Sequence, residues 1–226
     1  MKITRVTQNA LQLTRLNFVN CYLVREDDGY TLIDAGLKGS ENEILKAAAN
    51  IPIKRILLTH AHMDHVGSVD AFAAHIPDVI LGASKRSIPI LKKPPNLSLR
   101  PGETGPIRGY PPGIRSEVSL VIQEGDCIGS LLAIDTPGHI HGQLSFLDER
   151  DGTLYAGDTF FCFSYLAIPG WTPWYFRLKV NSNLAQARES AIKLLDYPIQ
   201  RFACGHGRVR GGGRAALEEA IARARL

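Results

Sequence analysis

Short apolar stretches separated by polar turns run along this chain and predict a series of buried strands. Several of these stretches are short and almost wholly apolar, which is typical of buried strands. The predicted strands cover residues 18–24, 30–35, 55–60, 78–83, 131–136, 143–148, 153–158 and 201–206. Glycine, proline, asparagine and aspartate supply the turns between them.

Helical spacing of apolar residues appears between the predicted strands, at residues 40–50, 66–75, 183–195 and 213–225. Ser40 and Glu43 have the spacing of a capping box, which predicts a helix start at Ser40. Strands come first and are followed by mixed strands and helices. This order predicts sheets packed on each other with helices outside.

The length of 226 residues and the apolar fraction of 45% predict a single domain, residues 1–226, with a deep core. We find neither a charged leader with an apolar run nor an apolar segment near the roughly 20 residues of a spanning helix. We therefore expect a cytoplasmic protein without membrane contact. The four cysteines are widely spaced, which predicts buried free thiols: Cys21, Cys127, Cys162 and Cys204.

Positive charge is concentrated in one segment, residues 84–115, which holds seven Lys or Arg residues and the single acid Glu103. The rest of the chain is slightly acidic, so a general nucleic-acid-binding face is not indicated. Residues 92–113 are rich in proline and glycine and predict a long irregular loop inserted in the domain. Such loops act as lids, binding loops or subunit contacts, and a homodimer is one option.

The stretch "LLTHAHMDHVGS" is the strongest chemical signal in the chain. It places His60, His62, Asp64 and His65 between a predicted strand and a predicted helix. Imidazole and carboxylate groups at this spacing favour a metal with nitrogen and oxygen ligands. Surface loop residues or a helix cap are the alternative. Further ligands are expected after a buried strand and a glycine, as at His139, Asp158 and His206.

The motifs "THAHMDH", "TPGH", "GDT" and "CGHG", in this order, make the chain resemble the metallo-β-lactamase-fold hydrolases. The resemblance implies an α+β, αββα four-layer sandwich and two divalent metal ions, with zinc expected first and iron or manganese as alternatives. It assigns one ion to His60, His62 and His139, the other to Asp64, His65 and His206, and the bridging position to Asp158. Asp34 in "LIDAG" matches an aspartate that supports the metal loop, although a turn residue is an equal alternative.

Three other polar residues near these motifs have different expectations. His75 is expected at the surface near a helix end. His141 is expected in an exposed loop, with a contact to a metal ligand or to the substrate as the alternative. Gln143 stands where many relatives have a further histidine, so its contribution to the metal ligands stays open.

A dinuclear site of this kind predicts a hydrolase, because two cations share a hydroxide that is available near neutral pH. Asp64 is the expected catalytic residue, holding the nucleophilic water and passing its proton to the leaving group. The expected substrate is a small molecule with an ester, thioester or lactone bond.

The full ligand set resembles the glyoxalase II and lactonase branches, but Phe161 stands where lactonases carry a catalytic tyrosine. Basic residues for a glutathione group are also missing from residues 160–171, which follow the expected bridging position at Asp158. Aromatic residues are dense over residues 160–176 and would line an acyl pocket, a dimer surface or the core.

Three other functions remain open at this point. One is a mononuclear iron persulfide dioxygenase, and another is a nucleic-acid or phosphodiester hydrolase that uses the basic segment to hold its substrate. The non-enzymatic alternative is a metal-binding module, which the complete ligand set with Asp64 disfavours.

Overall fold

The computed structural model describes residues 1–173 and 180–224. Two units can be distinguished along the chain. Unit 1 consists of Met1–Asn96 and Tyr110–Ile122, and unit 2 consists of Leu97–Gly109 and Gln123–Leu226. The expectation of one domain over residues 1–226 is not decided by this division and stays a prediction.

Unit 1 is built on a seven-stranded sheet whose strands lie side by side in chain order. The first four strands pair antiparallel and the last three add in parallel. Their bounds are β1 Lys2–Arg5, β2 Ala10–Arg15, β3 Val19–Glu26, β4 Gly29–Ile33, β5 Ile53–Leu57, β6 Ile80–Ser84 and β7 Leu120–Ile122. All five residues of β4 are buried, as expected of a strand with a partner on each side and cover on both faces.

Four short helices belong to unit 1: α1 Glu41–Ala47, α2 Met63–Val66, α3 Val69–His75 and α4 Ser87–Leu91. The predicted capping box at the start of α1 is wrong. Ser40 makes no side-chain cap, because its hydroxyl accepts a hydrogen bond from Arg15 at 2.8 Å and its amide donates to Ser68 Oγ. Glu43 instead accepts from the amino group of Met1. Contacts between distant segments therefore override the local motif.

Unit 2 contains a six-stranded sheet in the order β15, β14, β11, β10, β9, β8 and a separate two-stranded sheet. The six strands are β8 Cys127–Ile128, β9 Leu131–Asp135, β10 Leu144–Asp148, β11 Thr153–Gly157, β14 Arg201–Cys204 and β15 Arg210–Gly211, and the pair is β12 Phe161–Cys162 with β13 Leu166–Ala167. The helices are α5 Leu184–Lys193 and α6 Gly213–Arg223. Apolar side chains from both helices join those of the larger sheet in one buried core.

The basic segment 84–115 begins with the end of β6 and helix α4, and residues 92–113 form no helix or strand. Its middle part, residues 97–109, belongs to unit 2. Two hydrogen bonds hold it there: Asn183 Nδ2 donates to Thr104 Oγ1 at 2.8 Å, and His141 Nε2 donates to the carbonyl of Gly105 at 2.9 Å. Close approach is also required at Gly105, since an added Cβ would lie 2.0 Å from the carbonyl oxygen of Ser182.

All eight predicted strands and all four predicted helices are present, with ends that differ by a few residues. The prediction omitted the short strands β1, β7, β8, β12, β13 and β15, together with β2 and helices α2 and α4. Three of the four cysteines are buried free thiols as predicted, whereas Cys127 is exposed. No helix within residues 1–173 and 180–224 is long and apolar enough to span a membrane.

The carboxylate of Asp70 on α3 holds the segment that leads into β7. It accepts hydrogen bonds from the amides of Arg115 and Ser116, both at 2.9 Å, and from the Ser116 hydroxyl. Burial alone would raise the pKa of Asp70, but these hydrogen bonds and the charge of Arg115 outweigh it and lower the pKa. A lowered pKa in the folded state stabilises the protein above the unfolded-state pKa near 4, and this contribution is lost as the pH falls further.

We expect Asp70→Asn to lower the free energy of unfolding at pH 7 by about 1 kcal/mol, because the amide is a weaker acceptor for three donors. The difference from the unsubstituted protein should shrink as the pH falls below about 4, where Asp70 itself becomes protonated. Urea unfolding followed by circular dichroism between pH 2.5 and 7 measures this. Asp78→Asn, at an exposed turn position, is the control. A difference between the Asp70 variant and the unsubstituted protein that stays constant across this pH range would contradict the account.

Candidate metal centre

The loop after β5 in unit 1 carries the first group of predicted ligands. His60, His62 and His65 are at most 5% exposed, and Asp64 is partly exposed. His60 Nε2 lies 3.1 Å from His62 Nδ1, and the ring centroids of His60 and His65 are 3.9 Å apart. Asp64 Oδ2 lies 3.8 Å from His65 Nε2. Unit 1 therefore gathers all four residues of the "HAHMDH" motif at the end of one strand.

Asp34 fixes this loop. Its carboxylate accepts from the Thr59 amide and from the Thr59 hydroxyl, both at 2.8 Å, and from His65 Nδ1 at 2.7 Å. Asp34 is 2% exposed and adopts a left-handed backbone conformation at φ 59°, which aspartate tolerates better than most residues. The supporting role implied for Asp34 thus agrees with its contacts, and it is more than a turn residue.

These hydrogen bonds determine which ring nitrogens carry protons. His65 Nδ1 donates to Asp34, so its lone pair is on Nε2, facing Asp64. The Thr59 hydroxyl has one proton and gives it to Asp34, so it accepts from His60 Nδ1 at 3.0 Å. The lone pair of His60 is therefore also on Nε2. One buried carboxylate orients two imidazoles, one directly and one through Thr59, as outer partners of metal ligands do.

Gly67 allows the turn between α2 and α3 to sit against the loop that follows β4. An added Cβ would lie 2.4 Å from the amide nitrogen of Lys38 and 2.7 Å from the carbonyl oxygen of Met63. The amide of Gly67 donates to the carbonyl of Gly36, and the amide of Ala35 donates to the carbonyl of His65. Only glycine allows this close approach, which holds α2 and its ligands beside Asp34.

Unit 2 carries the second group of predicted ligands, His139, Asp158 and His206, each at most 4% exposed. Asp158 Oδ2 lies 3.5 Å from His139 Nε2 and 3.3 Å from His206 Nε2. His139 Nδ1 donates to Asn181 Oδ1 at 2.7 Å, so its lone pair on Nε2 points at the carboxylate. The three residues follow three different strands of the larger sheet, and the structure brings them together.

Gly138 explains how His139 reaches this position. Its φ is 139°, and an added Cβ would lie 2.3 Å from the backbone of Ala187 on α5. The amide of Asn183, the N-cap of α5, donates to the carbonyl of Gly138. The glycine before His139 is thus required by the packing of α5 against the loop.

Phe161 covers the imidazoles of unit 2, a role that the sequence did not single out. Its ring is stacked on His206 with centroids 5.5 Å apart and meets His139 edge-on at 6.1 Å. Phe160 instead packs into the core against Phe202. The aromatic segment 160–176 therefore contributes both core and site residues, and its part from residue 174 to 176 lies outside the described residues.

The remaining polar residues differ from expectation at one position. His141 was predicted to be exposed and is 3% exposed, because it donates to the carbonyl of Gly105. His75 lies at the end of α3, exposed, as predicted. Gln143 is buried and donates to Thr159 Oγ1 at 2.6 Å, so it supports the residue that follows Asp158.

The donor atoms of both clusters suit a cation. Nε2 atoms of His65, His139 and His206 lie 3.3–3.8 Å from carboxylate oxygens, an arrangement that a positive charge between them would stabilise. Histidine and aspartate groups that could hold a metal ion are present among the described residues. Nitrogen and oxygen donors without cysteine fit zinc, iron or manganese.

Comparisons with known proteins agree with this chemistry. A family model described as the metallo-beta-lactamase superfamily matches residues 14–206. YobT of Bacillus subtilis (strain 168) is 39% identical over 232 residues, which covers 100% of this chain and 99% of YobT. A hydroxyacylglutathione hydrolase of Aeromonas hydrophila subsp. hydrophila is 31% identical over 144 residues, which covers 62% of this chain and 46% of that enzyme.

Solved structures give the same fold. The B3 metallo-beta-lactamase BLEG-1 superposes with a TM-score of 0.68 at 22% identity, and the match covers 89% of this chain and 93% of that chain. The predicted metallo-β-lactamase fold is thereby confirmed. The mixed sheets and helices of the two units agree with the predicted α+β class.

We expect Asp34→Asn to weaken metal binding by about 10- to 100-fold, because the amide cannot accept from Thr59 and His65 as the carboxylate does. Thr59→Val should have a smaller effect, since His60 loses its acceptor and Asp34 loses one of three donors, while His65 keeps its hydrogen bond to Asp34. Competition with a chromophoric chelator measures both affinities. Asp27→Asn, on the exposed turn between β3 and β4, is the matched control. Equal affinities in all four proteins would show that Asp34 does not orient the ligands.

Proposed function

This chain belongs to the metallo-beta-lactamase superfamily, and on that basis we propose that it is a dinuclear metal-dependent hydrolase. Its substrate is a small molecule with an ester, thioester or lactone bond. The observation that carries the proposal is the orientation of histidine lone pairs toward carboxylates in both units. A structural metal needs four ligands, whereas this chain offers seven.

The proposed ligands follow the order of the motifs. One ion would be held by His60, His62 and His139 and a second by Asp64, His65 and His206, and the carboxylate of Asp158 would serve both. When bound, a pair of divalent ions lowers the pKa of water and polarises the bond under attack. Zinc is the first expectation, with iron or manganese as alternatives, since the donor set suits each.

Asp64 is proposed as the catalytic residue. It lies at the start of the short helix α2, and its side chain is 23% exposed, in contrast to the buried histidines around it. A carboxylate with access to solvent can accept a proton from the attacking water and deliver it to the leaving group. Its role differs from that of Asp34, which is buried and engaged by Thr59 and His65.

Phe161 and Asn181 complete the proposed site through packing and orientation. Phe161 presents an aromatic face on His206 and His139, which excludes water from that side and offers an apolar wall for an acyl group. Phe161 has no hydroxyl group, so it cannot donate a hydrogen bond to an oxyanion in the proposed mechanism. Asn181 keeps Nε2 of His139 directed at Asp158.

A thioester is the favoured substrate within this class. The Aeromonas relative is named a hydroxyacylglutathione hydrolase, and Phe161 stands where a lactonase would carry tyrosine. The match covers 46% of the length of that relative. We therefore do not assign the thiol part of its substrate to this chain. Purified protein loaded with zinc, manganese or iron should be tested against short acyl thioesters, lactones, phosphodiesters and β-lactams.

We expect elemental analysis to find about two ions per chain and the highest kcat/KM on a thioester or ester. One iron per chain, with sulfite formed from glutathione persulfide, would support a persulfide dioxygenase instead. Cleavage of phosphodiesters alone would support a nuclease. Full turnover with one ion per chain would favour a mononuclear site.

We expect Asp64→Asn to lower kcat by about 10²- to 10⁴-fold, the usual contribution of a general acid or base, while most of the metal stays bound. Asp78→Asn carries the same chemical change at an exposed turn and should leave kcat unchanged. Steady-state kinetics with metal content measured on the same samples tests both. Full turnover in the Asp64 variant would remove Asp64 from the mechanism.

A further inference from the structure

A cleft of about 650 Å³ lies in unit 1, between helix α4 with the residues after it and residues 114–118. This volume is in the range of small-molecule sites. One part of its lining is apolar and is formed by Ile88, Leu91, Ile114 and Val118. None of the proposed metal ligands lines this cleft, so it is a separate feature of the molecule.

The two walls of the cleft are held together by backbone hydrogen bonds. The amide of Ile114 donates to the carbonyl of Leu91 at 2.7 Å. Gly113 has φ 69°, and an added Cβ would lie 2.5 Å from the carbonyl oxygen of Lys92. On the other side, Asp70 accepts from the amides of Arg115 and Ser116. The cleft is thus largely formed without a ligand, as small-molecule sites usually are.

Cations line the rim of the cleft. Lys92, Lys93 and Arg115 are exposed, and Glu117 is the single acid of the lining. The net charge of the lining is therefore +2. These cations belong to the basic segment 84–115. The proposed hydrolysis assigns no role to this segment. A positive rim over an apolar floor is complementary to a ligand with an apolar body and a negative group.

We propose that this cleft binds an amphipathic carboxylate, with its hydrocarbon chain on Ile88, Leu91, Ile114 and Val118 and its carboxylate at Lys92, Lys93 and Arg115. A single carboxylate fits better than a polyphosphate, because Glu117 beside the rim repels dense negative charge. Binding of this kind requires no metal. The proposal therefore stands or falls separately from the proposed function.

The test uses decanoate as the probe and isothermal titration calorimetry on the full chain, with and without zinc. We expect saturable binding of one decanoate per chain in both forms. Acetate lacks the chain and decanol lacks the charge, so each should bind at least about tenfold more weakly. Binding that disappears when zinc is removed would locate decanoate at the metal ligands and overturn the proposal, as would equal affinity for decanol.

Variants then locate the site. The double substitution Lys92→Gln and Lys93→Gln should weaken decanoate binding about tenfold or more, and Val118→Glu should do the same by placing a negative charge on the apolar wall. Lys2→Gln with Lys54→Gln removes two exposed charges from strands β1 and β5, outside the cleft lining, and should leave the affinity unchanged. Circular dichroism confirms folding. Unchanged affinity in the first two variants, or equal weakening in the control, would refute the site.

Discussion

Three hydrogen bonds that converge on the buried carboxylate of Asp34 are the constraint on which the metal loop depends. Asp34 follows the last residue of β4. Its hydrogen bonds join this position to Thr59, at the start of the metal loop, and to His65, the last metal ligand in that loop. A buried carboxylate with all its donors in place is stable only in this arrangement. These hydrogen bonds restrict the loop and place the lone pairs of His60 and His65 on Nε2.

The second cluster reaches a similar result by different means. There one ligand follows each of the strands β9, β11 and β14. Asn181 accepts a hydrogen bond from His139 and so orients its ring. Phe161 adds a layer of aromatic surface over two imidazoles. In both units, ligands follow strand ends, where a rigid sheet fixes their backbone.

The sequence predicted the structure correctly where a residue pattern is compatible with one local structure. Buried strands followed by glycine and histidine predicted the positions of His139 and His206, and the density of ligands in "HAHMDH" predicted the loop after β5. It was uninformative where distant contacts decide. The capping box at Ser40 was replaced by bonds to Arg15 and Ser68, because those partners are not close in sequence.

His141 shows the same limit, since a loop histidine is expected to be solvated unless a distant carbonyl, here that of Gly105, accepts its proton. Short edge strands such as β7 and β15 were missed because two or three residues carry too little periodicity. The position of Phe161, three residues after Asp158, suggests that it lies near the ligands. Its stacking on His206 is visible only in the structure. The substrate likewise depends on surfaces that no motif encodes.

We propose that seven residues act as ligands of two cations: His60, His62, Asp64, His65, His139, Asp158 and His206. Anomalous diffraction from crystals of the zinc-loaded protein tests it most directly. We expect two anomalous peaks, one about 2.0–2.1 Å from nitrogens of His60, His62 and His139 and the other at similar distances from nitrogens of His65 and His206, with Asp158 near both. A single peak, or peaks bound to residues outside these groups, would contradict it.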